Sequence, residues 1–174
     1  MSEVTFRLHA PDGGGVADAA ILASYPNGTY RTGFTDSAGD WLVDLYRVDQ
    51  QMTILAAAEG HMPLRAAVVP DEAVVDLSMA ASTNGCRGVL FTKSTGCIPG
   101  IEGRLNPIND GRTYVYAGNI AINGRVANPA MFEVGERLHL TDVYGVETVI
   151  RFLEVTAQFS LIEFTEPRPF EAQP

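Results

Sequence analysis

The chain has 174 residues, 46% of them hydrophobic and 19% charged, which suffices for one medium core or two small ones. Its formal net charge is −9, and a single lysine, Lys93, stands beside eleven arginines with no basic run, which argues against nucleic acid and anionic membrane as main partners. No apolar stretch approaches the roughly 18–20 residues of a membrane helix, and Met1-Ser2-Glu3-Val4 lacks the basic and apolar regions of a signal peptide, so a cytoplasmic protein is expected.

Val4-Thr5-Phe6-Arg7-Leu8-His9 alternates apolar and polar residues, the period of a half-buried strand. Pro11-Asp12-Gly13-Gly14-Gly15 breaks it, and an apolar run from Val16 to Tyr25 follows, ending at the turn signal Pro26-Asn27-Gly28. Asn27-Gly28-Thr29 fits a glycosylation acceptor, but without secretion it reads as a plain turn. Thr29 to Thr35 continues as a strand, and Asp36-Ser37-Ala38-Gly39 turns it back. Trp41, Val43 and Leu45 then share one face, with Leu42, Asp44 and Tyr46 on the other. Met52 to Ala58, Leu64 to Val69 and Val74 to Met79 complete about seven strands in roughly 80 residues, the spacing of a small antiparallel sandwich.

Three stretches carry a family likeness: Val16-Ala17-Asp18-Ala19-Ala20-Ile21, then Thr35-Asp36-Ser37-Ala38-Gly39-Asp40-Trp41, then Ala57-Ala58-Glu59-Gly60-His61. In this order they resemble the "pv-x-gA-x-V", "TD-x-x-G-x-f" and "a-x-G-y" motifs of the carboxypeptidase regulatory-like family. His61 departs from the aromatic residue often found there. The resemblance covers about residues 3–80 and implies a transthyretin-like β-sandwich that usually serves as a structural or binding accessory. These motifs are turn chemistry, which speaks to fold more than to function.

The same stretch 35–44 holds three carboxylates, Asp36, Asp40 and Asp44. A calcium loop would need oxygen ligands at alternate positions and a glutamate at the twelfth, and neither follows. Asp36 instead suits bonding of the turn amides, Gly39 suits a positive φ, and Asp40 and Asp44 fall on the outward face of a strand. No metal is expected there.

Ala80-Ala81-Ser82-Thr83-Asn84-Gly85 is small and polar, so residues 81–87 are expected to link a first unit, 1–80, to a second, 88–164. Charge changes across it: four basic residues face eleven acidic ones in 1–82, giving −7, and eight face ten in 83–174, giving −2. In the second part Arg112 to Ala117, the hairpin signal Asn123-Gly124, the pair Leu138 and Leu140, Val146 to Val155 and Phe159 to Phe164 predict five to seven short antiparallel strands, a small barrel or second sandwich. Thr165 to Pro174, with three prolines, is expected to trail loosely as a tail.

His9, His61 and His139 lie far apart in sequence, and Cys86 and Cys97 lack the spacing of a zinc ribbon or the neighbours of a cysteine nucleophile. They read as surface imidazoles and free, partly buried thiols, with no cofactor implied. The glycine-rich run Gly96 to Arg104 lacks the Lys-Ser/Thr ending of a phosphate loop. Together with Leu105 to Arg112 it forms the longest irregular-looking segment, the kind of long loop that carries recognition. Arg104, Asn106, Asn109, Asp110 and Arg112 are therefore the candidate binding residues, beside Tyr114 and Tyr116. Alternatively, Arg104 and Arg112 pair with Asp110 and Glu102 to brace the loop.

The expectation from sequence is thus an all-β, non-catalytic, cytoplasmic protein that binds another protein or serves in assembly, through loops or sheet edges, with homo-oligomers open to it. A structural subunit of a larger particle is the next reading. A transthyretin-like purine-pathway hydrolase is a third, and it fits poorly, since that activity needs paired histidines, an arginine and a "YRGS" end where this chain has Phe170-Glu171-Ala172-Gln173-Pro174.

Overall fold

A computed structural model describes residues 1–126 and 128–169. The protein is all-β: among the described residues every regular element is a strand, and no helix is long and apolar enough to cross a membrane. Two compact units divide the chain, Met1–Thr83 and Asn84–Pro174.

The first unit has seven strands: β1 (Ser2–His9), β2 (Ala20–Ser24), β3 (Tyr30–Phe34), β4 (Asp40–Leu45), β5 (Met52–Ala57), β6 (Leu64–Val68) and β7 (Val74–Ser78). They form a three-stranded sheet, β4-β1-β7, and a four-stranded sheet, β3-β2-β5-β6. All pairings are antiparallel except β1 with β7. The alternation in the sequence decides what goes inside. Val4, Phe6 and Leu8 of β1 are buried, as are Ile21 and Ala23 of β2 and Met52, Ile54 and Ala56 of β5, and all belong to one core. Trp41 and Leu45 enter it from β4, and Trp41 stacks on Phe6 with ring centroids 5.7 Å apart. The indole fits because residue 33 is glycine, where a Cβ would come within 2.1 Å of Nε1.

The turn at residues 35–40 organises this unit. Thr35 is buried, and its hydroxyl donates to the Val16 carbonyl (2.6 Å) while accepting from the Ala19 amide (2.9 Å). Asp36 Oδ1 accepts the amides of Ala38 (2.9 Å) and Asp40 (3.0 Å), and Gly39 has φ +84°. Asp40 pairs outward with Arg7, its neighbour across the β1–β4 ladder, at 2.7 Å. These acids therefore shape a turn and a strand face. The run Val16 to Tyr25 is shorter as a strand than its hydrophobicity suggests, since Asp18 takes φ +56° and β2 begins only at Ala20.

The second unit contains β8 (Cys86–Phe91), β9 (Arg104–Asn109), β10 (Thr113–Gly118), β11 (Ile120–Ile122), β12 (Ala130–Met131), β13 (Leu138–Asp142), β14 (Val146–Val155), β15 (Ser160–Thr165) and β16 (Arg168–Pro169). One sheet runs β12-β10-β9; the other runs β11-β13-β14-β15-β8, with β16 also paired to β14. All these pairings are antiparallel. Leu105 and Val115 from the first sheet and Leu138, Leu140, Ile150, Phe152, Ile162 and Phe164 from the second fill one core, where Phe132 stacks on Phe152 at 4.5 Å.

Three expectations change here. The expected long irregular segment contains β9, whose Pro107 and nearby asparagines disguise an inward Leu105. Of the expected linker 81–87, Ala81 bridges to His61 and Cys86 and Arg87 belong to β8. Of the expected tail, Thr165 closes β15 and Arg168–Pro169 pairs with Val146–Glu147, while residues 170–174 lie outside the described residues.

The buried Thr35 hydroxyl gives a direct test. Thr35→Val keeps the shape but leaves the Val16 carbonyl and the Ala19 amide without their partner, at a cost of about 1–3 kcal/mol. In urea unfolding the midpoint falls with an unchanged slope. An unchanged midpoint would show that water replaces the hydroxyl.

Candidate functional site

The five residues expected to form a recognition loop lie along the β9–β10 hairpin. Arg104 opens β9 opposite Gly118, Asn106 lies opposite Tyr116, and Asn109, Asp110 and Arg112 gather at the tip. At about 3.3 Å per residue, Arg104 lies some 17 Å from Asn109, so the five form no single cluster. The tip is held by its own side chains. Asn109 Oδ1 accepts the Gly111 amide (3.3 Å) and its Nδ2 donates to the Val155 carbonyl (3.4 Å). The Tyr114 hydroxyl donates to Asp110 Oδ2 (2.8 Å), which holds the Asp110 carboxyl below its ordinary range and pushes the Tyr114 phenol up. Neither Arg104 nor Arg112 forms an ion pair with another described residue; Asp110 Oδ1 accepts the backbone amide of Arg112 (3.4 Å) instead. The cysteines are free, with Cys86 half-buried and Cys97 exposed rather than partly buried.

Another concave arrangement lies elsewhere in the second unit. A cleft of about 350 Å³ opens over β13, β14 and β16, with Asn84, His139, Thr141, Glu147, Glu166 and Arg168 among its polar lining. Its geometry follows from strand register. Leu138 and Leu140 point into the core, which turns His139 and Thr141 outward, and Ile150 and Phe152 do the same for Glu147. Thr141 lies opposite Glu147, and Glu147 lies opposite Arg168. On that side Ile150 pairs with Phe164 and Glu147 with Arg168, so three steps along β14 are matched by four along the partner. The extra residue makes a bulge. Thr165 compensates inside it: its side-chain oxygen accepts the Val149 amide (2.9 Å), and its carbonyl accepts the Thr148 hydroxyl (2.6 Å). Glu166 turns towards β8: its amide donates to the Gly85 carbonyl (3.0 Å), and its carboxylate meets Arg87 at 3.7 Å. The side chains of His139, Glu147 and Arg168 make no hydrogen bond or ion pair with another described residue.

The hairpin carrying His139, Thr141 and Glu147 is fixed by Asp142. This buried carboxylate accepts the amides of Tyr144 (2.8 Å) and Val146 (2.9 Å) on Oδ1 and of Glu102 (2.9 Å) on Oδ2. Burial pushes its carboxyl up, but the three amides outweigh that, and the group titrates below the ordinary carboxylate range.

No family model matches the sequence. Over 155 residues the chain is 30% identical to a 3' cyclic ADP-D-ribose synthase, AaTIR, of Aquimarina amphilecti. This similar protein is an enzyme. The aligned part is 88% of this chain but 46% of the relative, so the chain spans somewhat under half of the relative's length. The finding overturns the expectation of a non-catalytic binding or assembly protein. That expectation rested on turn motifs and loop length, which report how strands are joined and carry no information about chemistry on their outward faces. The polar residues of the cleft escaped because they occur singly at positions 84, 139, 141, 147, 166 and 168. Only the fold makes them neighbours.

Because Asp142 titrates low when folded, its contribution to stability is present above the unfolded carboxyl value of about 4 and is lost as pH falls through the lower folded value. Asp142→Asn removes that dependence. It lowers stability near neutral pH by roughly 1.5–3 kcal/mol and flattens the acid limb of a stability-versus-pH curve. A variant whose acid limb matches the native one would show that other carboxylates set it.

Proposed function

We propose that the chain takes part in the enzymatic formation of a cyclic ADP-ribose, as the counterpart of the matched part of its relative. The observation that carries this reading is the 30% identity sustained across 88% of the chain, both units included. A cytoplasmic setting belongs to the same proposal. The first unit, with seven strands in sheets of three and four, accords with a carboxypeptidase regulatory-like sandwich.

Closing an ADP-ribose on itself makes definite demands. The bond from the anomeric carbon to its leaving group must break, and a hydroxyl elsewhere in the molecule must add at that carbon and give up its proton. With NAD⁺ as donor, nicotinamide departs with the bonding electrons and no oxidation state changes. A protein serving this reaction must hold a flexible dinucleotide folded back on itself and keep water from the carbon, so positioning dominates. In this chain the cleft over β13, β14 and β16 offers the group types such a ligand needs: a carboxylate, an imidazole, a guanidinium and hydroxyls on rigid strands.

The test uses the protein purified by an affinity tag from its own host, so that any polypeptide it works with accompanies it. Supplied with NAD⁺, this preparation should release nicotinamide and a cyclic ADP-ribose in equal amounts, detected by mass spectrometry. Absence of both products across induced and uninduced cells would overturn the reading.

A further inference from the structure

We infer that the cleft over β13, β14 and β16 binds the ribose-diphosphate portion of an ADP-ribose-type nucleotide, with Glu147 taking the ribose diol and His139 and Arg168 the phosphates. This deepens the proposed function and rests on it for the identity of the nucleotide. The site itself rests on the geometry. At about 350 Å³ the cleft is at the small end of ligand pockets, which run from about 300 to 1,000 Å³. That suits a sugar and its phosphates, with the adenine left outside.

The polar groups are arranged for such a ligand. Glu147 projects from the middle of the cleft floor between Thr141 on one neighbouring strand and Arg168 on the other. A carboxylate has two acceptor oxygens and so meets two adjacent hydroxyls, each donating one hydrogen bond. Arg168 offers a planar fork of donors that suits phosphate oxygens, and His139 adds an imidazole N–H from two residues before Thr141. None of these three side chains is engaged by another described residue, so binding breaks no existing contact. The second acid in the lining, Glu166, faces Arg87, which offsets its charge beside an incoming anion. The strands that carry the groups are fixed by the Asp142 and Thr165 hydrogen bonds, so little ordering is needed on binding.

The probe is ADP-ribose, titrated by calorimetry into the full chain and into Glu147→Gln and Arg168→Ala. Both positions are on the surface, and unchanged melting temperatures confirm that the variants fold. The expected result is binding by the native chain, weakened at least tenfold in each variant. A 2'-deoxyribose analogue should bind the native chain weakly and lose nothing further in Glu147→Gln, because the carboxylate then has one hydroxyl fewer to hold. Absence of ADP-ribose binding at millimolar concentration, or binding equal in all three proteins, overturns the assignment. The two proposals separate cleanly. Turnover of NAD⁺ by the tagged preparation with ADP-ribose binding unaffected by both substitutions keeps the enzymatic role and removes this cleft; substitution-sensitive binding without turnover does the reverse.

Discussion

The second unit depends on one buried carboxylate. Taking Asp142 out of water is unfavourable unless its oxygens find donors, and here three backbone amides supply them. Two belong to the turn that returns the chain from β13 to β14, so the acid sets the register in which His139, Thr141 and Glu147 face one way and Leu138, Leu140 and Ile150 the other. A slip by one residue would exchange those sets and place an imidazole and a carboxylate in the core. The third amide is that of Glu102, which anchors the segment whose Ile98 and Ile101 are buried in the same core. Core closure and cleft geometry therefore rest on the same group.

Threonine hydroxyls perform a related task in both units. Where strands end or bulge, backbone groups lose their ladder partners, and a short side chain that both donates and accepts can replace them. Thr35 does so between the Val16 carbonyl and the Ala19 amide. Thr148 and Thr165 do so across the bulge beside the cleft. The difference lies in what the irregularity permits. At Thr35 the chain packs tightly, with Gly15 against the carbonyl of Ala38, where a Cβ would sit 2.0 Å away. At Thr165 the register shift borders the cleft instead.

These local devices also explain what the sequence could reveal. Strict alternation and glycine turns made the first unit readable strand by strand, because half-buried antiparallel strands impose a period of two and tight turns impose positive φ. Gly39 and the Asn123-Gly124 pair, with φ of +53° and +77° at the latter, are where the turn residues predict them. Strand β9 was hidden because a proline and two asparagines interrupt the pattern, although the inward Leu105 was there to be seen. The cleft left no trace. Its polar residues alternate with core leucines and isoleucines, and in any single strand such residues look like an ordinary solvated face. The Asp142-Val143-Tyr144-Gly145 turn was the one legible pointer, since it fixes which outward residues of the two strands become neighbours.

The charge argument concerns a long polyanion. It does not extend to a nucleotide. Screening at physiological salt limits the reach of surface charge to about 8 Å, so a small anion senses the few groups lining its site rather than the total of −9. Most of the negative balance also falls in the first stretch, −7 over residues 1–82 against −2 over 83–174. In the cleft Glu166 faces Arg87, and Arg168 stands across from Glu147, which leaves the local field close to balanced. Net charge therefore leaves a compact phosphate ligand compatible with this surface.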